Sequence, residues 1–430
     1  MKTTLALSIT LLLSGSSIAM TQTEFVDRLI KNHPFFTQQE FDQKATKIDY
    51  IASSENQDWM LSTSVKSSNK LNAQTSSASI GATRNMVVTG GDFTLSNVWS
   101  DGVATDKLTM TYSHPLLKNA QGVNDLLKGD LAKIAIEVNT LKLKQSAEEF
   151  VLTQLYKLVD LSYAQEQLVL TNHRLTLAQQ ELSLVKDKFE QSLVDEVDVL
   201  LQEDAFQRVL QKQLQAEQDL DLLKQELSLT LGMSVGSIHS DYDLYQLYQT
   251  ELDNLSQQLA LNTTEMKLVS LDRSILQRQL LSDKNSTQAL LDLTVGTSNE
   301  NTNDWNIGLD FSYPLGNTKA KSALEKTQIN LAKNKENATE KLLNLTIKTS
   351  VLGKKLQHLV KLLDTYQARI NIADARSLAE KKRYELGNSQ VSFVISAQNN
   401  VHDVKLAYAQ AAVKYQKSVL EFKAVIDQLM

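Results

Sequence analysis

Apolar residues alternate with polar ones over four short runs of this chain and recur three or four apart over much of the rest. The clearest alternating run is DWNIGLDFSYPLG, where Trp305, Ile307, Leu309, Phe311 and Tyr313 interleave with Asn306, Gly308, Asp310 and Ser312. An extended segment with that period presents one apolar face and one polar face. The same period, less complete, marks Trp59, Leu61, Thr63 and Val65; Leu108, Met110 and Tyr112; and Leu291, Leu293 and Val295. Strands are therefore predicted at about 57–66, 106–114, 288–297 and 305–313. The segment Lys66 to Asp106 between the first two, rich in Ser, Asn, Thr and Gly, reads as a long loop. Its Gly90-Gly91 pair lacks the lysine and helix of a phosphate loop.

Helical periodicity fills the remainder. From Asp130 to Leu231 there is neither Gly nor Pro, so nothing interrupts a helix. Leu175, Ala178, Leu182, Val185 and Phe189 are spaced as a coiled-coil seam, and so are Val404, Tyr408, Ala411, Tyr415, Phe422 and Ile426. In RYELGNSQVSFVISAQ the cations Lys381, Lys382 and Arg383 precede Gly387, which is how a helix ends before the chain turns back. An offset of 195 residues places Phe189 on Tyr384, Glu190 on Glu385, Ser192 on Gly387, Val199 on Val394 and Leu200 on Ile395, so a matching turn is predicted at Ser192. Asp195, Glu196 and Asp198 then occupy the first turn of the returning helix, facing the positive end of its dipole.

These signals describe a duplicated chain: residues 20–240 form one repeat, with a helical hairpin at about 124–231, and 241–430 the other, with a hairpin at about 318–428. In both repeats an alternating run leads into Pro-Leu, as HPLL at His114 and YPLG at Tyr313. Each outgoing helix is ~100 Å long at ~1.5 Å per residue. The returning helices are shorter, and Gln22 to Ser54 and Asp243 to Ser282 are the candidates to extend that layer.

Composition agrees with long uninterrupted elements, since 430 residues include only 14 Gly and 3 Pro. The net charge of −6, with no basic stripe, offers nothing to a nucleic acid. Lys2, the apolar run Leu5 to Leu13, and Ser17 and Ala19 form an export signal over residues 1–19. No later run approaches the ~18 apolar residues of a transmembrane helix. There is no cysteine, hence no disulfide and no acylated cysteine anchor. Only strands are left to enter a membrane. Four strands cannot close a barrel, and open edges do not survive in lipid, so several copies must share one barrel; three copies supplying about twelve strands is the smallest arrangement with an aqueous bore.

The signal peptide, the two repeats, HPLL and YPLG, and RYELGNSQVSFVISAQNNVHDVKLAYAQAAVKYQKSVLEFKAVI together resemble the TolC-like outer membrane efflux proteins. The resemblance implies a mainly α fold with a transmembrane β-barrel. It implies a homotrimer whose twelve-stranded barrel continues into an α-helical coiled-coil tunnel across the periplasm, docked to a periplasmic adaptor (membrane fusion) protein and an inner-membrane pump. The implied function is the passive exit duct of a tripartite efflux or type I secretion system in the outer membrane of a Gram-negative bacterium, with outer membrane lipid around the barrel. Trp59, Leu61, Leu108, Met110, Tyr112, Trp305, Ile307, Leu309, Phe311 and Tyr313 are the implied lipid-facing positions. The implied periplasmic gate is Asp198 and Tyr384, with Ser389 where the family carries an arginine. Phe393 and Ser396 fall where acidic residues narrow the entrance, so that ring is absent. The adaptor-docking tips are Gln191, Ser192 and Leu193 in one repeat and Leu386, Gly387 and Asn388 in the other.

Two plainer readings stay beside this one. Asp195 and Asp198 equally suit helix-start residues, and Tyr384 equally suits packing in the seam. The six histidines are scattered without metal-ligand spacing, and no GxSxG, Walker or dinucleotide fingerprint occurs, so no enzyme, cofactor or metal is expected. The alternative function is a soluble periplasmic coiled-coil adaptor or scaffold, which accounts for the helices but not for the recurrent alternating runs.

Overall fold

A computed structural model of the protein describes residues 20–53, 57–70, 73–101, 107–248, 255–299 and 304–429; the expected export signal lies outside them. In chain order the elements are α1 (Gln22–Asn32), α2 (Pro34–Ala52), β1 (Met60–Lys70), β2 (Ala73–Met86), β3 (Gly91–Ser100), β4 (Lys107–Pro115), α3 (Leu126–Glu190), α4 (Glu196–Leu231), α5 (Leu255–Asn262), α6 (Thr264–Ser286), β5 (Leu290–Ser298), β6 (Asp304–Ser312), α7 (Thr318–Glu385) and α8 (Val391–Val425). They group into two units, and α3 and α7 each run through both.

The first unit holds α1, the later parts of α3 and α7, α4 and α8. Thr21 and Glu24 form a reciprocal capping box at the start of α1, and Pro34, which has no N–H to leave unpaired, opens α2. Phe25, Leu29, Leu155, Leu158, Leu161, Leu227, Leu231, Tyr415 and Phe422 are fully enclosed in its core. Each such side chain contributes about 1.5–3 kcal/mol by leaving water. The seam of α3 differs from its sequence pattern: Phe189 is exposed and Leu175 only half-buried, while Thr171, Arg174, Ala178, Glu181, Leu182 and Val185 are buried. Polar partners on the neighbouring helices admit Arg174 and Glu181, which apolar periodicity alone passes over.

The two hairpin turns of this unit are copies of each other. In one, the amides of Gln191, Ser192 and Leu193 donate to the carbonyls of Asp187, Phe189 and Lys188; in the other, those of Leu386, Gly387 and Asn388 donate to Lys382, Tyr384 and Arg383. Every pair differs by 195 residues. The left-handed position is Gly387 (φ 76°) in one turn and Ser192 (φ 58°) in the other. A side chain in that conformation costs about 1 kcal/mol or more. Ser192→Gly is expected to raise stability by about 1 kcal/mol and Gly387→Ala to lower it by a similar amount, read from denaturant unfolding followed by helical circular dichroism in detergent.

The second unit is a six-stranded antiparallel sheet in the order β1-β2-β3-β4-β5-β6 with α2, α6 and the adjoining parts of α3 and α7. Two of these strands correct the expectation of four. The segment Lys66 to Asp106 is not a long loop: β1 continues to Lys70, and β2 and β3 follow as a hairpin paired to β1 on one side and β4 on the other. Its small hydroxyl residues, which resemble turn composition, bond across the strands instead. Ser64 Oγ lies 2.8 Å from Ser79 Oγ, Ser68 Oγ 2.9 Å from Thr75 Oγ1, and Ser96 Oγ 2.7 Å from Thr109 Oγ1. A smaller correction concerns Asp243 to Ser282: the chain is non-helical through Tyr248, and helix is present as α5 and α6, separated at Thr263. No helix among the described residues is long and apolar enough to cross a membrane.

Candidate functional site

Residues directly opposed in an antiparallel sheet share a face, so the register sorts every strand residue. Starting from Trp305, Ile307, Leu309 and Phe311 on β6, one face continues through Leu291, Leu293, Val295 and Thr297 of β5 and Leu108, Met110, Tyr112 and His114 of β4. It then takes in Phe93, Leu95, Asn97 and Trp99 of β3, Ala78, Ile80, Ala82 and Arg84 of β2, and Leu61, Thr63 and Val65 of β1. Trp59 joins it by an edge-to-face contact with Phe93, 5.7 Å between ring centroids, and the Arg84 guanidinium lies 5.7 Å from the Trp59 ring. Tyr313 follows the last residue of β6.

The opposite face is small and polar: Ser62, Ser64, Ser79, Gly81, Thr83, Thr94, Ser96, Thr109, Thr111, Thr294, Gly296, Asn306, Gly308 and Asp310, with Met60, Val98, Pro115 and Leu290 as exceptions, three of them at the strand ends. A β-carbon on Gly296 would stand 2.6 Å from Asn306 Oδ1, and one on Gly308 2.8 Å from Thr294 Oγ1, so glycine there lets polar neighbours cross the strands. The apolar face is large and uncovered; Val65 is 83% exposed, Trp305 73% and Leu309 66%. Such an area has no place in water.

At the hairpin turns the structure places the sequence-predicted gate and docking residues as follows. Tyr384 is buried with Val185, Ala205, Val391, Val394 and Ile395. Lys188 Nζ donates to the Tyr384 carbonyl at 3.0 Å and lies 3.9 Å from the ring centroid. The Tyr384 hydroxyl has no hydrogen-bond partner among the described residues. Burial, and then the charge of Asp198, push its phenol above the ordinary value. Asp198 is half-buried in the first turn of α4, near Tyr384 but not bonded to it. Ser389 instead donates to Glu380 Oε2 at 3.1 Å, and Arg383 bonds the other carboxylate oxygen at 3.3 Å. Gln191, Ser192, Leu193, Leu386, Gly387 and Asn388 are all exposed, as are Val197, Leu200 and Phe393 beside them.

Above the tips, α3, α4 and α8 share a buried polar cluster that periodicity alone does not reveal. Gln202 Nε2 donates to Glu181 Oε2 at 3.2 Å, Gln398 Nε2 donates to Glu181 Oε1, and Arg174 Nη1 stands 3.7 Å from Glu181 Oε2. Arg174 also donates to Asn399 Oδ1 from Nε and Nη2, at 3.4 and 3.3 Å. One signal was available: Arg174, Ala178 and Glu181 keep the four-then-three spacing of the seam.

Duplicated long helical hairpins and a sheet with one bare apolar face make a mainly α fold that is shared with solved outer membrane proteins. Solved structures with this fold include CusC, studied for transmembrane channel formation (12% identity, 95% of this chain and 92% of that chain, TM-score 0.74). They also include VceC, an outer membrane protein of Vibrio cholerae (11%, 95% of each chain, TM-score 0.70). The open state of the MtrE outer membrane channel of Neisseria gonorrhoeae is a third (12%, 95% and 89%, TM-score 0.69). No family model and no curated protein sequence matches the chain.

Proposed function

We propose that the protein is the outer membrane exit duct of a tripartite efflux or type I secretion system. It acts as a homotrimer in a Gram-negative outer membrane and conducts substrates passively from an inner-membrane pump through a periplasmic adaptor. The observation that carries this reading is the six-stranded sheet whose apolar face is bare and whose polar face is lined by Ser, Thr and Gly. That is the arrangement for lipid on one side and water on the other. A soluble scaffold would leave the same face in water. Trp59, Leu61, Leu108, Met110, Tyr112, Trp305, Ile307, Leu309, Phe311 and Tyr313 are then lipid-facing.

In this reading the exposed turns at Gln191 to Leu193 and Leu386 to Asn388 meet the adaptor, and their apolar neighbours Val197, Leu200 and Phe393 add contact area. Asp198, Tyr384 and Ser389 form the periplasmic gate. The unpartnered Tyr384 hydroxyl is a buried donor that a neighbouring copy can satisfy when the tips converge. No protein group needs to supply energy, because the conducted molecule is pushed by the pump.

The test is single-channel current from the purified protein in planar bilayers. Discrete, long-lived conductance steps are expected, and a helical, well-folded sample that never inserts would refute the reading. Tyr384→Phe combined with Asp198→Ala is expected to raise the conductance of the resting channel; no change would leave both as packing and helix-start residues.

A further inference from the structure

We propose that β2 and β3 are full wall strands of the barrel, so that each copy supplies six strands and three copies close an eighteen-stranded barrel. This rests on the outer membrane channel reading. The alternative for the extra hairpin is to stand outside the bilayer, and three features of the sheet oppose it.

The first is where the hairpin ends. The strands meet the helices at Met60, Pro115, Leu290 and Ser312, which together mark the helix-proximal rim. The turn between β2 and β3 is fastened at that same rim. Asn119 Nδ2 donates to the Gly90 carbonyl at 3.3 Å and to Asp125 Oδ2 at 2.7 Å, and Asn85 Nδ2 reaches Asp125 Oδ2 at 3.3 Å. Two left-handed glycines make the close approach possible. A β-carbon on Gly122 would lie 1.6 Å from the Val87 oxygen, and one on Gly90 2.1 Å from the Asn119 oxygen. The hairpin therefore runs down to the rim. With 14 residues in β2 and 10 in β3, it has the length a tilted crossing strand needs, ~9–11 residues.

The second is the stagger. The row of paired residues Leu61, Ala82, Leu95, Met110, Thr297 and Trp305 crosses all six strands. Its members stand one, four, four, five, seven and seven residues from the rim ends Met60, Met86, Gly91, Pro115, Leu290 and Ser312. The row climbs six residues in five steps and never falls. At ~3.3 Å per residue and ~4.8 Å between strands this is a tilt of about 40°, within the range of outer membrane barrels. β2 and β3 share that tilt.

The third is chemistry. β3 puts Phe93, Leu95 and Trp99 on the apolar face and Thr94, Ser96 and Ser100 on the polar one, continuous with β4. Arg84, over Trp59 near the rim, sits where a cation and an aromatic belong at a membrane interface. Six up-and-down strands leave β1 and β6 antiparallel, and neither edge has a partner within the sheet. Hydrocarbon does not tolerate open edges, so β1 of one copy must pair with β6 of the next. Barrel diameter grows roughly linearly with strand number, so the barrel is about 1.5-fold wider than one of twelve strands at the same tilt.

The natural absence of cysteine makes the test clean. Single-cysteine variants of the full protein, reconstituted in lipid vesicles, are treated with a charged, membrane-impermeant thiol reagent, and copy number is read by native mass spectrometry in detergent. Thr94→Cys, Ser96→Cys and Thr111→Cys are expected to label readily. Leu95→Cys and Met110→Cys are expected to label about tenfold or more slowly, being in lipid, and the mass is expected to show three copies. If Leu95→Cys labels as fast as Ser96→Cys while Met110→Cys stays protected, the hairpin lies outside the wall: the proposal falls and the channel reading stands. If Met110→Cys is also unprotected, the channel reading itself falls. A two-copy assembly would mean twelve strands and would overturn the eighteen.

Discussion

Replacing Glu181 by alanine is expected to destabilise the helical unit by about 3–5 kcal/mol, a large share of the ~5–15 kcal/mol by which proteins are usually stable. The carboxylate is nearly inaccessible, as is Arg174. It accepts from Gln202 and Gln398 and is the acidic partner of Arg174 in the buried ion pair. Alanine strands two buried amides at once and leaves the buried Arg174 guanidinium with Asn399 but without its counter-charge, and each lost partner carries a desolvation cost. Glu181→Gln is expected to cost much less. Burial pushes the Glu181 carboxyl up from its ordinary value, against the opposing pull of Arg174, the Gln202 hydrogen bond and Lys381. The folded protein therefore binds this proton more readily than the unfolded chain does. The sign follows: as pH falls from neutral through the raised folded value towards the ordinary one, this group adds stability, and as pH rises back through that window the gain is lost. Denaturant unfolding of the wild type and both variants in detergent, at neutral and mildly acidic pH, checks both claims. A Glu181→Gln loss as large as that of Glu181→Ala would show that the charge, not the hydrogen bonding, is what Glu181 provides.

The cluster also shows what a sequence hides. The duplicated hairpins are legible because Gly387 and the cations before it stop a helix, and the offset of 195 carries that stop to Ser192, where no glycine announces it. β4, β5 and β6 are legible because their outward positions are large and apolar. β2 is not, since Ala78, Ala82 and Gly81 give almost no contrast between faces; β3 alternates at Phe93, Leu95 and Trp99, but Asn97 and Val98 invert the pattern and the surrounding Ser, Thr, Asn and Gly read as a loop. Arg174 and Glu181 are hidden for another reason. Their burial depends on Gln202, Gln398 and Asn399, which lie on other helices, the last two more than 200 residues along the chain.

The largest effect on the sheet is expected from a charge placed on its apolar face. Met110 is central in β4, paired with Leu95 and Thr297, and Thr111 is the next residue on the polar face, opposite Thr94 and Gly296. If the apolar face meets lipid, Met110→Arg puts a guanidinium near the bilayer midplane at a cost of about 2–4 kcal/mol. Thr111→Arg points into water, leaves folding nearly unchanged and narrows the bore, so it lowers conductance. β4 is interior to the sheet, so this contrast is independent of how many copies close the barrel. Equilibrium folding into lipid vesicles against urea, followed by bilayer conductance of Thr111→Arg, measures both. If the face met water instead, neither arginine would matter beyond the ~0.5 kcal/mol of an ordinary surface change, and equal stability of the two variants would remove the sheet from the membrane.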